Sequence, residues 1–186
     1  DDYDMIVIDY PHVGEVAHKG LLQNLNLPEY HSQLEDLKKQ SVGKSHHSYF
    51  IDNKQWALAI DAASQTACYR EDLIKNIPSN WDNLLTLAQD NKVLWPLKPI
   101  HAISSFYSIY NNITEDFNPE QKNFINKDFG IKTLTMMKTI SKKLIKECLM
   151  MDPIQTAELM TETNDFYYCP YIYGFSNYSR SNYRKN

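Results

Sequence analysis

Four short apolar runs punctuate this chain, and each is continuous rather than alternating: Met5-Ile6-Val7-Ile8, Trp56-Ala57-Leu58-Ala59-Ile60, Val93-Leu94-Trp95 and Phe166-Tyr167-Tyr168-Cys169. Runs of that length and type suit strands buried on both faces, as in parallel sheets. Between them lie segments with helical spacing. Tyr30, Leu34 and Leu37 recur within Glu29–Lys39, and Ile103, Phe106, Tyr107 and Tyr110 line one face of His101–Tyr110. Alternation of strand and helix predicts an α/β protein with parallel strands. The longest periodic segment, Phe129–Met150, predicts one helix with Ile131, Leu134, Met137, Ile140, Leu144 and Cys148 buried and its lysines in solvent.

Local signals refine this. Asp4–Asp9 reads as a buried strand, Pro11–Gly14 as a turn, and Glu15–Lys19 as a short helix closed by Gly20. Asp52-Asn53 suits a hairpin turn. Thr66–Tyr69 continues the extended segment that starts at Trp56, Arg70–Lys75 reads as a short helix, and Ser79 is the expected cap of the next one. Asp152-Pro153-Ile154-Gln155 has the signature of a capping box with proline in the first helical turn.

The composition narrows the function classes. The chain has 186 residues, 19 Lys+Arg and 23 Asp+Glu for a net charge of −4, so it lacks the basic balance of a nucleic-acid-binding domain. No run reaches the ~18 apolar residues of a membrane span. With only five glycines, neither GxGxxG nor GxxxxGK[ST] occurs, which removes a glycine-built phosphate cradle. Cys68, Cys148 and Cys169 include no CxxC and read as three small buried hydrophobes. The histidines have no metal-ligand spacing.

Ligands of open α/β sheets bind beyond the carboxyl ends of the parallel strands. Four such ends here carry Asp9-Tyr10-Pro11-His12, Asp61-Ala62-Ala63, Lys98-Pro99-Ile100-His101 and Pro170-Tyr171-Ile172-Tyr173. Carboxylates that accept from paired hydroxyls, beside aromatic faces that cover ring C–H groups, suit a sugar. Core or interface packing of Trp95, Tyr171 and Tyr173 is the competing reading.

The succession of motifs resembles the extracellular solute-binding proteins of sugar-type ABC transporters, which have the periplasmic-binding-protein fold. The resemblance runs through Tyr3-Asp4-Met5-Ile6-Val7-Ile8-Asp9-Tyr10-Pro11-His12-Val13-Gly14, then Ser41-Val42-Gly43, then Gln55 to Gln65. Tyr69-Arg70-Glu71-Asp72-Leu73, Pro78 and Trp81-Asp82-Asn83-Leu84 are similar to the family's Y-x-x-D-L … P-x-T-W-x-E-L signature. Asn80 and Asn83 stand where Thr and Glu are usual. Tyr167 to Gly174 resembles a later strand and its G-P-W turn, with Cys169 and Tyr171 in place of Gly and Trp.

The resemblance implies parts of two α/β lobes joined by a crossing strand, residues 1–63 in lobe one and 64–186 in lobe two. It implies a piece of a longer chain that binds sugar weakly or not at all by itself. It implies a sugar or polyol held in an inter-lobe cleft by Asp9, Pro11, His12, Asp61, Ala63, His101, Tyr171 and Tyr173. No catalysis, cofactor, metal or nucleic acid is implied. The solute would pass to a membrane permease, with the protein periplasmic or extracellular and, in one arrangement, lipid-anchored. Two readings compete: an α/β carbohydrate-active enzyme with Asp9 and Asp61 as acid/base pair, and a binder of a metal or an amino acid.

Overall fold

The computed structural model describes residues 3–114, 125–180 and 183, which divide into two compact units, Asp1–Ala62 and Ala63–Asn186. Of the polar tail, residues 181, 182 and 184–186 lie outside the described residues, while Ser176–Ser179 forms a 3-10 turn.

In the first unit, helix α1 (Tyr10–His18) starts at Asp9 with Pro11 in its first turn. The expected turn at Pro11–Gly14 is therefore helix, because a proline whose N–H needs no partner is at home there. Its other end is a Schellman motif: Gly20 N–H donates to the Ala17 carbonyl and Leu21 N–H to that of Val16. Gly20 holds the required left-handed conformation at φ +67°. Helix α2 (His31–Gln40) follows a 3-10 turn at Pro28–Tyr30. Strands β1 (Phe50–Ile51) and β2 (Lys54–Gln55) form a hairpin whose turn residues Asp52 and Asn53 both have positive φ, 51° and 60°. Two such residues define the tight turn that matches strand twist. Val13 and Ala17 are buried on α1. Gln55 ties the unit together, donating from Nε2 to the His46 and Ala57 carbonyls while its backbone N–H donates to Asn26 Oδ1.

The expected buried strand Asp4–Asp9 is extended but exposed, with Met5 84% and Val7 77% accessible. A continuous apolar run is buried only where sheet neighbours flank it, and no described strand pairs with this one.

In the second unit the elements are β3 (Gln65–Tyr69), α3 (Trp81–Gln89), α4 (Pro99–Thr114), α5 (Lys127–Ser141), α6 (Pro153–Glu162) and β4 (Tyr168–Tyr173). β4 is the axis. It pairs antiparallel with β3, and the buried Val93–Leu97 segment meets it through a single parallel bridge, Val93↔Tyr168. Side chains alternate across this layer as a pleat demands. Val93, Trp95 and Tyr168 join Leu84, Ala88, Ile109 and Ile140 from α3, α4 and α5 on one side. Leu94, Cys169 and Ile172 join Ala157 and Met160 of α6 on the other. The parallel sheet expected from the alternation is thus reduced to one bridge among the described residues. The Val93 run cannot extend its ladder because Pro96 has no N–H, and Leu97 N–H turns to the Cys148 carbonyl instead.

Three further expectations change. Arg70–Lys75 is a turn, not a helix; its Arg70 backbone continues the β3–β4 ladder by donating to the Tyr167 carbonyl. The Arg70 guanidinium donates to the Met160 and Thr163 carbonyls at the end of α6 and grips Asp72 with two nitrogens. The cap of α3 is Asn80, whose side chain accepts from Asn83 N–H, rather than Ser79. The long helix ends at Ser141, and Ile131 and Leu134 are 54% and 57% exposed while Gly130, Thr133 and Ile140 are buried. Past Ser141 the chain bends so that Leu144 and Cys148 enter the second core cluster; burial outweighs helix propensity. The capping box of α6 forms as expected: Asp152 accepts from Gln155 N–H and Gln155 Oε1 from Asp152 N–H.

Candidate functional site

Aromatic and polar side chains meet on the α4 side of β4. Its shape starts from a register shift. Thr66 opposes Ile172 but Cys68 opposes Cys169, so Ala67 faces both Pro170 and Tyr171. Such a bulge is where a strand tolerates proline. Tyr171, three residues after Tyr168, is thereby aimed back to the same side, against Trp95 and Trp81 at ring-centroid distances of 5.9 and 6.3 Å. Burial raises the Tyr171 phenol above its ordinary pKa, while a hydrogen bond from Asn112 Nδ2 (3.4 Å) pulls the other way.

Trp95 is fully buried and its indole N–H donates to Ser105 Oγ at 3.0 Å. Gln65 at the head of β3 donates to the same oxygen at 3.2 Å and accepts from Ser108 Oγ at 3.1 Å. Two residues beyond Tyr171, Tyr173 meets the His101 ring edge-on at 6.4 Å. Burial first, then Lys98, lowers the His101 pKa from 6.5, and Asp152 opposes them. The surface therefore offers the Tyr171 phenol and the His101 imidazole, both biased to their neutral forms, able to donate and accept beside aromatic faces.

The sequence-derived residues divide accordingly. His101 and Tyr173 meet on the second unit, and Tyr171 packs instead against Trp81 and Trp95; Tyr171 and Tyr173 lie within β4 rather than beyond its end. Asp9, Pro11 and His12 form the exposed start of α1 on the first unit, and the Asp9 side chain makes no capping hydrogen bond. Asp61 and Ala63 are exposed in the irregular stretch before β3. Trp81, Gln65, Ser105 and Asn112 were missed. Gln65 and Ser105 are 40 residues apart, and no periodicity or motif links them. Beside α3, Asn76, Ile77, Pro78, Asn83, Thr86, Leu87 and Asp90 line an open depression of about 280 Å³. Among the described residues no group of three or more His, Cys, Asp or Glu side chains could hold a metal ion, and no helix is long and apolar enough to cross a membrane.

No protein-family model and no curated protein matches the chain. Among solved structures it is similar to a cyclo/maltodextrin-binding protein crystallised with maltotetraose, with a TM-score of 0.61 and 15% identity over 87% of this chain. The chain spans 43% of that protein's length. The fold is accordingly an α/β fold of the periplasmic-binding-protein kind, covering part of it.

Proposed function

We propose that this chain belongs to a solute-binding component of an ABC importer that takes up a sugar or polyol and delivers it to a membrane permease. The observation that carries the reading is the fold likeness to a maltodextrin-binding protein. The aromatic and imidazole surface of Tyr171, Tyr173 and His101 beside Trp81 and Trp95 supports it. Sugars bind where aromatic faces cover C–H groups and a few polar atoms fix orientation. In this reading the solute meets Asp9, Pro11, His12, Asp61, Ala63, His101, Tyr171 and Tyr173. Residues 1–63 and 64–186 are parts of the two lobes, and ligand shifts an open–closed equilibrium through its differential affinity. No bond changes in the solute. The protein works outside the cytoplasm.

Thermal-shift screening of the full-length protein against sugars, polyols, amino acids and metal ions tests this. Stabilisation by sugars or polyols alone is expected. Stabilisation by amino acids or metals alone overturns the solute class, and turnover of a glycoside overturns the binding role.

A further inference from the structure

All three cysteines of the chain converge on the core cluster between β4 and α6. Cys148 and Cys169 are fully buried members, and half-buried Cys68 packs against them. Cys68 and Cys169 are also direct partners in the antiparallel β3–β4 register. Directly opposed residues of such a ladder have Cα atoms ~4.5–5.5 Å apart, inside the ~4.4–6.8 Å that a disulfide spans. Both side chains lie on the α6 side of the sheet. Cys68 Sγ reaches Met160 Sδ at 4.0 Å, and Cys169 Sγ donates to the Tyr171 carbonyl at 3.7 Å.

We propose that Cys68 and Cys169 form a redox-convertible pair, closing into a cross-strand disulfide when a small-molecule disulfide serves as oxidant.

The two thiols are not equivalent. Cys169 opposite lowers the Cys68 pKa, whereas burial first, then Cys68, holds the Cys169 thiol well above its ordinary value. Cys68 is thus the better thiolate, and the thiolate is the attacking species. It stands on β3, which among the described residues pairs on one side only and whose neighbouring residues Ala67 and Tyr69 are exposed. Cys68 thiolate attacks one sulfur of the oxidant, forming a mixed disulfide and expelling one thiolate. Cys169 then gives up its proton and attacks Cys68 Sγ, expelling the second thiolate. Two protein thiols are oxidised and one small-molecule disulfide is reduced to two thiols. Cys148 stays reduced, because Cys169 has its register partner opposite. The closed bond ties β4 to the strand that opens the second unit and encloses about 100 residues, which restricts the unfolded chain strongly. The pair rests on the β3–β4 register alone and is independent of the sugar-binding reading.

The test is incubation of the folded chain, without denaturant, with glutathione disulfide, followed by intact mass and peptide mapping after alkylation. The expected product is two hydrogens lighter, with a Cys68–Cys169 cross-link and Cys148 alkylated. Its unfolding temperature should rise by on the order of 10 °C, reversibly on reduction. Cys148→Ala should keep the cross-link and Cys68→Ser should lose it. A glutathione adduct that persists on Cys68, a cross-link through Cys148, or no change in mass overturns the proposal. Because wild type carries the mapping result, misfolding of a variant does not rescue it.

Discussion

Ser105→Ala isolates the polar joint beneath the aromatic surface. Ser105 Oγ accepts from two donors, the Trp95 indole N–H at 3.0 Å and Gln65 Nε2 at 3.2 Å. Alanine differs from serine by that oxygen alone, so little cavity forms and the loss is one of hydrogen bonding. Gln65 is half-buried and finds water, so its share is small. Trp95 is fully buried, so its N–H is left without a partner. A stranded buried donor costs about 1–3 kcal/mol. The assay must report the second unit by itself, since a chain of two units need not unfold in one step. Native-state hydrogen exchange at the Leu94 amide does so, because that N–H donates to the Tyr168 carbonyl at 3.0 Å inside the core. Protection there should fall roughly 5- to 150-fold. In a Trp95→Phe background, which has no indole N–H, the same substitution should cost at least about 0.5 kcal/mol less. A fall below about twofold in wild type, or full additivity with Trp95→Phe, would refute the account.

Asn80→Ala should destabilise α3 by about 1 kcal/mol, whereas Ser79→Ala, whose hydroxyl only meets Asn83 Oδ1, should stay within about 0.5 kcal/mol; urea titration followed by exchange at α3 amides separates them, and equal costs would contradict the assignment of the cap. His46 and His101 both have pKa values lowered from 6.5, chiefly by burial. Between the folded and unfolded pKa values the unfolded chain binds more protons, so the stability they contribute is present above 6.5 and is lost as pH falls through the folded values. NMR titration should place both midpoints below 6.5, and a midpoint above it for either ring contradicts the burial argument.

What could be read in advance was what neighbours in sequence decide. The capping box at Asp152, the Gly20 helix end and the Asp52-Asn53 hairpin each depend on groups within a few residues, so spacing alone reveals them. The cap of α3 shows the limit of that. Ser79 and Asn80 are adjacent and both can cap; the side-chain contact with Asn83 N–H decides for Asn80. Apolar runs were less informative, because a run announces only that burial would be favourable. Val93–Leu97 finds β4 on one flank and helices around it and is buried, whereas Met5–Ile8 has no described strand beside it and is not. The two segments have the same pattern in sequence.

The same distinction explains why the candidate site was only half legible. Aromatic identity at Tyr171 and Tyr173 is visible, but the direction in which Tyr171 points is set by the bulge opposite Ala67. Without the bulge a two-residue period from Cys169 would carry Tyr171 to the α6 side, into the cluster that holds Cys169. Pro170, which reads as a strand terminator, is instead the residue that shifts the register by one and delivers Tyr171 to Trp81 and Trp95. The shift also separates the two chemistries of β4. Tyr171 and Tyr173 face α4, and Cys169 remains with Cys68 on the α6 side. Changing Pro170 would therefore disturb both faces at once, which a helix-side substitution such as Ser105→Ala cannot do.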